Sequence, residues 1–164
     1  MKDRNKIVSY DEALSKVFEL LGTHRIMALA SSVDDHVSVR NVSGIIYENR
    51  IFFKTDKNFS KTKQFIQNPN VAICHWGVSI EGKVQIHGLV KDDPTQKFAE
   101  LYKKYWDKSY TSAPHIETEI LVEVLPSFIE VWDQDEKDCG FQTIIDCVKH
   151  EVEIRYYDDN AEEK

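Results

Sequence analysis

The residues best suited to bind a charged ligand form one short stretch, in which Ser60, Lys61, Thr62 and Lys63 follow one another. Asn68 precedes Pro69 a few residues later, and a residue before proline avoids the helical conformation. The sequence therefore predicts a helix that is capped by Ser60 and ends at Asn68. Amides and the positive end of the dipole attract anions at a helix start, so we expect a phosphate group to bind there. A basic, solvated first turn without a ligand is the alternative.

Composition narrows the class of protein. The 164 residues carry a formal net charge of −7, which argues against nonspecific binding to nucleic acid. No apolar run is long enough to cross a bilayer, and no apolar signal-peptide core follows the charged N-terminus. Three cysteines without Cys-x-x-Cys spacing are typical of reduced thiols, and the six histidines show no zinc-site spacing. We expect a cytoplasmic protein that binds neither nucleic acid nor membrane and holds no metal.

The pattern of elements predicts the fold class. A capping box at Ser9 starts an amphipathic helix that ends at Gly22. Short alternating strands joined by polar turns follow it. A further helix is expected to be capped by Asp93, with Pro94 in its first turn, and Pro126 is expected to separate two later strands. This order predicts an α+β fold, an antiparallel closed or split β-barrel with two to three flanking helices.

The stretch before Pro69 resembles the FMN-binding split-barrel family that includes pyridoxamine-phosphate oxidase. In that family a strand ending in an aromatic residue and a threonine leads to a basic helix start, and the helix ends at Asn-Pro. Phe53 and Thr55 correspond here to the strand end, and Ser60 and Lys61 correspond to the helix start. The resemblance implies an FMN-type antiparallel split barrel.

Flanking segments extend the resemblance. Arg40 lies where the family has a strand arginine facing the flavin, and the strand Lys83–Gly88 matches the family's pattern of alternating valines before a glycine. Pro126–Trp132 is similar to a segment of the general stress protein branch. We expect one domain over residues 1–164, with a family-like barrel at 8–133, a strand-like extension at 134–157 and a disordered tail at 158–164.

The resemblance also implies a homodimer with FMN at the interface, bound by residues from both chains. Lys61 and Ser60 would hold the phosphate, and Arg40 would reach the phosphate or the ribityl chain. Thr55 would bond to the flavin ring or its chain, and Lys83 would stabilise the anionic reduced flavin. The full set implied for the cofactor is Arg40, Asn41, Val42, Phe53, Thr55, Ser60, Lys61, Lys83, Gln85 and Trp132.

Departures from the family leave two function classes open. Ser60 replaces a second basic residue, which is expected to weaken FMN binding, and Lys83 replaces the usual glutamine. The oxidase's C-terminal arginine and histidine set has no counterpart, which argues against pyridoxamine-phosphate oxidase activity. The first class is a flavin-dependent oxidoreductase acting on an unidentified small molecule. The second is a non-catalytic flavin-binding, stress-related protein or a barrel that binds deazaflavin or haem.

Overall fold

The computed structural model of the chain describes residues 8–112, 116–135 and 138–157. The disordered tail expected at residues 158–164 lies outside them. The elements in chain order are α1 (Tyr10–Leu21), β1 (His24–Val33), β2 (His36–Tyr47), β3 (Arg50–Asp56), α2 (Ser60–Gln67), β4 (Asn70–His75), β5 (Val78–Leu89), a 3-10 turn (Val90–Asp92), α3 (Lys97–Tyr105), α4 (Asp107–Ser112), β6 (Glu119–Gln134), β7 (Gly140–Asp146) and β8 (Glu151–Tyr157).

Six of the strands close into an antiparallel barrel. The sheet order is β3-β2-β1-β4-β5-β6-β7-β8, and β3 also pairs with β6, so the first six strands form a ring. The closing ladder runs from Ile51 opposite Val124 to Asp56 opposite Glu119. Closure leaves no unpaired edge in the ring. The predicted α+β antiparallel barrel is confirmed.

The helix α1 forms as its sequence predicts. The backbone amide of Glu12 donates to the Ser9 hydroxyl, and the Ser9 amide donates to the Glu12 carboxylate, which completes the capping box. Gly22 ends the helix with φ of 66°, a left-handed value that suits glycine. The side chains of Val17, Phe18 and others are buried, so α1 packs on the barrel.

The expectation that Pro126 separates two strands is wrong, because β6 continues through it. The register with β5 shifts there: Glu81 lies opposite Phe128 and Gly82 opposite Pro126, which makes Ser127 the extra residue of a β-bulge. A bulge tolerates proline because the ladder is already interrupted. A Cβ added at Gly82 would lie 2.2 Å from the Leu125 carbonyl oxygen, so only glycine fits opposite the bulge.

The start expected for the next helix is also wrong, because α3 begins at Lys97 rather than at Asp93. The Asp93 carboxylate accepts from the backbone amide of Thr95 at 3.1 Å, which forms a local turn instead of a helix cap. Gln96 then adopts φ of 53° and serves as the N-cap. The side chain of Asp93 thus stabilises a local turn, which competes with the start of a helix at this position.

The segment after the barrel forms the hairpin β7–β8, which pairs with β6 and continues the sheet beyond the ring. In the described part of the chain, four α-helices flank the sheet, where the sequence predicts two to three. None of these helices is long and apolar enough to span a membrane.

Candidate functional site

The start of α2 differs from the expectation in one respect. The N-cap is Phe59, whose side chain makes no capping bond, and Ser60 is already the first helical residue, so the predicted Ser60 cap is wrong. The backbone amides of Thr62 and Lys63 donate to the Phe59 carbonyl. The Thr62 hydroxyl donates to the Asp56 carbonyl at 2.7 Å and ties the helix start to β3. The start of α2 is thus fixed to β3, with Lys61 in its first turn.

Arg40 supplies the second cation, and neutral groups hold it in place. Its Nη1 donates to Ser31 Oγ and its Nη2 to Gln64 Oε1, both at 2.7 Å. Ser31 Oγ donates to the same Gln64 oxygen at 2.7 Å, and Gln64 Nε2 donates to Ser38 Oγ at 3.2 Å. Residues of β1, β2 and α2 thus fix the guanidinium without neutralising it.

Arg40 and Lys61 lie near each other in a half-buried position. Burial lowers the pKa of Lys61, and the nearby charge of Arg40 lowers this pKa further. Burial also lowers the pKa of Arg40. Among the residues that the structure describes, neither cation forms an ion pair with a carboxylate. Two neighbouring cations without a counter-charge are suited to bind an anion, and we call Arg40, Lys61, Ser31 and Gln64 the anion site.

Thr55 is a second unusual group in the described structure. It lies near the end of β3, is only 5% exposed, and its hydroxyl oxygen has no hydrogen-bond partner within the described parts of the chain. Burying an unpaired hydroxyl costs free energy, and such groups are rare in folded proteins. The two cations of the anion site fit a phosphate group, and the Thr55 hydroxyl is a separate buried polar group without a partner in the described structure.

The remaining residues implied for the cofactor fall into different positions. Phe53 and Val42 are buried in the barrel core, so their side chains are not available to a ligand. Only their backbone groups could contact one. Asn41 is exposed on the outer face of β2, opposite Ala28. Ser60 is exposed in the first turn of α2, beside Lys61.

Three further implied residues lie on β5 and β6. Lys83 and Gln85 are exposed on β5, and both β1 and β4 separate that strand from β2. Trp132 is half exposed, stacks on Tyr157 at 5.1 Å, and donates its backbone amide to Gly77 in the β4–β5 turn. One chain therefore brings Arg40 and Lys61 close together, whereas Lys83, Gln85 and Trp132 lie on other strands.

Sequence reasoning missed Gln64 and Ser31. Gln64 lies three residues after Lys61 and hence on the same side of α2, a signal that the helical period contains. Ser31 has no comparable signal, because its contact with Arg40 depends on the pairing of β1 with β2. The described residues contain no group of three or more His, Cys, Asp or Glu side chains that could hold a metal ion.

No protein-family model and no curated protein matches the sequence. Solved structures do match. A pyridoxamine 5'-phosphate oxidase-related, FMN-binding protein from Nostoc punctiforme is 13% identical over 93% of this chain and 99% of its own, with a TM-score of 0.55. The General Stress Protein 26 of Bacillus anthracis is 17% identical over 71% of this chain and 91% of its own, also with a TM-score of 0.55. The chain has the split-barrel fold of these proteins.

An F420 reductase shares the same fold. It is 18% identical over 68% of this chain and 94% of its own, with a TM-score of 0.55. At such identities the likeness is one of backbone architecture, so the ligand has to be argued from the site.

Proposed function

We propose that this split barrel is a flavin-binding protein whose cofactor is FMN, with the FMN phosphate bound by Arg40 and Lys61. The observation that carries the proposal is the pair of half-buried cations without a carboxylate partner in the described structure. A phosphate supplies the missing negative charge and accepts several hydrogen bonds. The FMN-binding split barrel of similar fold supports the choice of cofactor.

Each residue has a definite part in this proposal. Ser31 and Gln64 orient the guanidinium of Arg40, whose other N–H groups face the phosphate. Lys61 adds a second charge-assisted contact, and the Thr55 hydroxyl gains a partner in the ribityl chain or the ring. Bound FMN would supply the electron transfer, and the chain's own residues would position it and keep water away. We propose a flavin-dependent oxidoreductase that acts on a small molecule.

We further propose that a second copy of the chain completes the site. The outer faces of β1, β2 and β4 carry small and apolar residues, among them Ala30 and Ala72. Val37 and Val39 on β2 are exposed, and the exposed fraction of Val39 is 69%. An exposed apolar face of this kind suits a two-fold symmetric contact. β5 borders the same face, so a second copy is the natural source of the Lys83 and Gln85 side chains.

Deazaflavin is the second candidate cofactor, because an F420 reductase has the same fold. Ser60 replaces a second basic residue and so removes one positive charge from the phosphate site. This loss favours two further alternatives, a non-catalytic, stress-related role and a barrel that binds haem. We propose a cytoplasmic location on the grounds of composition alone.

The test is the visible spectrum and flavin fluorescence of the purified protein titrated with FMN and, separately, with riboflavin. We expect FMN to bind, riboflavin to bind more weakly because it lacks the phosphate, and K61A to weaken FMN by about 1.5–3 kcal/mol. Riboflavin binding should be the same in K61A and the natural protein. If K61A bound FMN as tightly as the natural protein does, the assignment of the phosphate to Lys61 would be contradicted. If the natural protein did not bind FMN, deazaflavin and haem would be tested next.

Turnover and assembly need separate measurements. Reduction of the bound flavin by NADH or NADPH, followed by reoxidation by an added acceptor, is expected if the protein is an oxidoreductase that uses these donors. Failure of both donors would contradict that role for them. Sedimentation at micromolar concentration is expected to show a dimer, and V39E is expected to produce monomers because it places a charge in the apolar face. A monomeric natural protein would refute the shared site.

A further inference from the structure

Trp76 is the most exposed large apolar side chain in the described part of the chain. Its exposed fraction is 89%, and it lies in the β4–β5 turn, between the paired residues His75 and Val78. Its backbone adopts φ of 51°, a left-handed value that bulky residues rarely take and that costs free energy. Tight hairpin turns favour glycine, asparagine or aspartate at such positions. A tryptophan kept there, in water and under strain, indicates a contact outside the single chain.

The fold explains the glycine of this turn but not its tryptophan. A Cβ added at Gly77 would lie 2.8 Å from the Trp132 carbonyl oxygen, and the Trp132 amide donates to the Gly77 carbonyl at 2.9 Å. Strand β6 therefore leaves room only for glycine at position 77. Among the described residues, the ring of Trp76 meets one other ring, that of His75, edge to face with 6.4 Å between the centroids. This contact leaves most of the indole in water.

A shallow cavity on the outside of the barrel is large enough to receive an indole ring. Its volume is about 350 Å³, and its walls include Ala30, Val37, Ala72, Glu81 and Ser127. A cavity of about 150 Å³ with apolar walls is already large enough for benzene. Ser127 is the extra residue of the bulge in β6, and bulges are frequent next to functional sites. The cavity thus combines apolar walls with an irregular, polar edge.

That polar edge offers acceptors for the indole N–H group, which only donates. Glu81 is exposed on β5, and its carboxylate forms no ion pair within the parts of the chain that the structure describes. The Ser127 hydroxyl donates to the Glu81 carbonyl at 3.2 Å, so its oxygen is still an acceptor. A hydrogen bond from an indole to a carboxylate is charge-assisted and therefore strong.

The cavity and Trp76 belong to the same strand, at a separation that suits a two-fold contact. Val71 and Ile73 of β4 are buried, so Ala72 and Cys74 lie on the outer face. Trp76 follows Ala72 by four residues, which is about 13 Å along a strand. In a two-fold contact the projecting group of each copy meets the cavity of the other, and the axis passes midway between them. Midway here is the exposed Cys74.

We propose that Trp76 of one copy inserts into the cavity beside Ala72 of the partner subunit and donates its indole N–H to Glu81 of the partner subunit. The same contact is repeated across the axis. This inference rests on the dimer of the proposed function and identifies the residue that anchors it. Ser31 also lines the cavity and holds Arg40, so the anchor lies beside the anion site of the partner. Aromatic anchors in complementary pockets often dominate the affinity of an interface.

The first test measures the dimer dissociation constant of the full chain by sedimentation over a dilution series. We expect W76A and W76G to raise it at least about thirtyfold. Glycine suits the left-handed turn, so W76G is expected to fold as the natural protein does, which circular dichroism checks. V148A is the control, because Val148 is 77% exposed in the other late hairpin turn, between β7 and β8, and its truncation is expected to have no effect. A natural dimer that W76A and W76G leave intact overturns this contact alone, whereas a monomeric natural protein refutes the shared site with it.

A second test separates insertion into the cavity from general apolar association. A72L narrows the cavity and adds apolar area, so it is expected to weaken the dimer at least about tenfold if Trp76 has to enter. Equal or tighter association of A72L overturns the proposal, since that result is expected of an apolar contact without insertion.

The position of the axis is tested with bismaleimidoethane, a short cross-linker of thiols. We expect it to join two chains of the natural protein through Cys74 and to leave C74S uncrosslinked. A dimeric natural protein that yields no covalent dimer overturns the two-fold arrangement around Cys74.

Discussion

The unpaired hydroxyl of Thr55 leads to a prediction about both stability and binding. Thr55 is buried, and its Oγ1 has no partner in the described structure. Valine has nearly the same shape and a methyl group in place of the hydroxyl. We therefore expect T55V to be more stable than the natural protein in the absence of a ligand, because a buried polar group without a hydrogen bond is removed.

The magnitude follows from the cost of burying an unpaired hydroxyl, which is about 1–3 kcal/mol in proteins. We expect the free energy of unfolding to rise by about 1–2 kcal/mol, which for a chain of this length corresponds to about 2–8 °C in Tm. Urea unfolding followed by circular dichroism measures the first quantity, and calorimetry measures the second. Both measurements are made without added flavin.

Thr62 provides the matched control. It is buried to a similar degree, but its hydroxyl donates to the Asp56 carbonyl at 2.7 Å. That carbonyl also accepts from the Phe59 amide at 3.1 Å, so it keeps one partner when the hydroxyl is lost. We expect T62V to lower the free energy of unfolding by about 1 kcal/mol. The same chemical change thus has opposite signs at two neighbouring positions.

FMN affinity completes this test. If Thr55 contacts the flavin, T55V is expected to weaken FMN binding about threefold to tenfold while it stabilises the free protein. A loss of stability in T55V would show that the hydroxyl has a partner in the folded chain and would refute the reasoning. Unchanged FMN affinity together with a gain in stability would remove Thr55 from the cofactor site.

Three more predictions concern other groups. Q64A is expected to lower the affinity for FMN about threefold to tenfold in a fluorescence titration, because Arg40 loses its orientation, and to leave the affinity for riboflavin unchanged. Equal effects on both ligands would refute this. Burial alone would raise the pKa of Glu123, but hydrogen bonds from Arg50 and His87 outweigh burial and lower this pKa below its ordinary value of 4.5. The free energy of unfolding, measured in urea, is therefore expected to decrease as the pH falls below that value. E123Q is expected to make this decrease smaller. G82A is expected to lower the free energy of unfolding by about 1–3 kcal/mol in urea, since its Cβ would meet the Leu125 carbonyl; unchanged stability would contradict the bulge geometry.

Capping and stop residues in the sequence predicted the ends of α1 and the end of α2. The capping box at Ser9 and the stop at Gly22 define α1 with the bounds expected, since both act through bonds within one turn. The Asn-Pro pair likewise ends α2 at Gln67. Local signals failed where two local outcomes compete, as at Asp93, whose side chain stabilises a turn instead of capping a helix.

By itself the sequence determined the α+β barrel class, the basic character of the start of α2 and the place of Arg40 on a strand, because these follow from side-chain period and residue type. Only the tertiary structure decided that Arg40 is held by Ser31 and Gln64 and that Glu123 joins Arg50 to His87. Those contacts join residues far apart in the chain. They depend on strand register and barrel closure, which a periodic pattern does not specify.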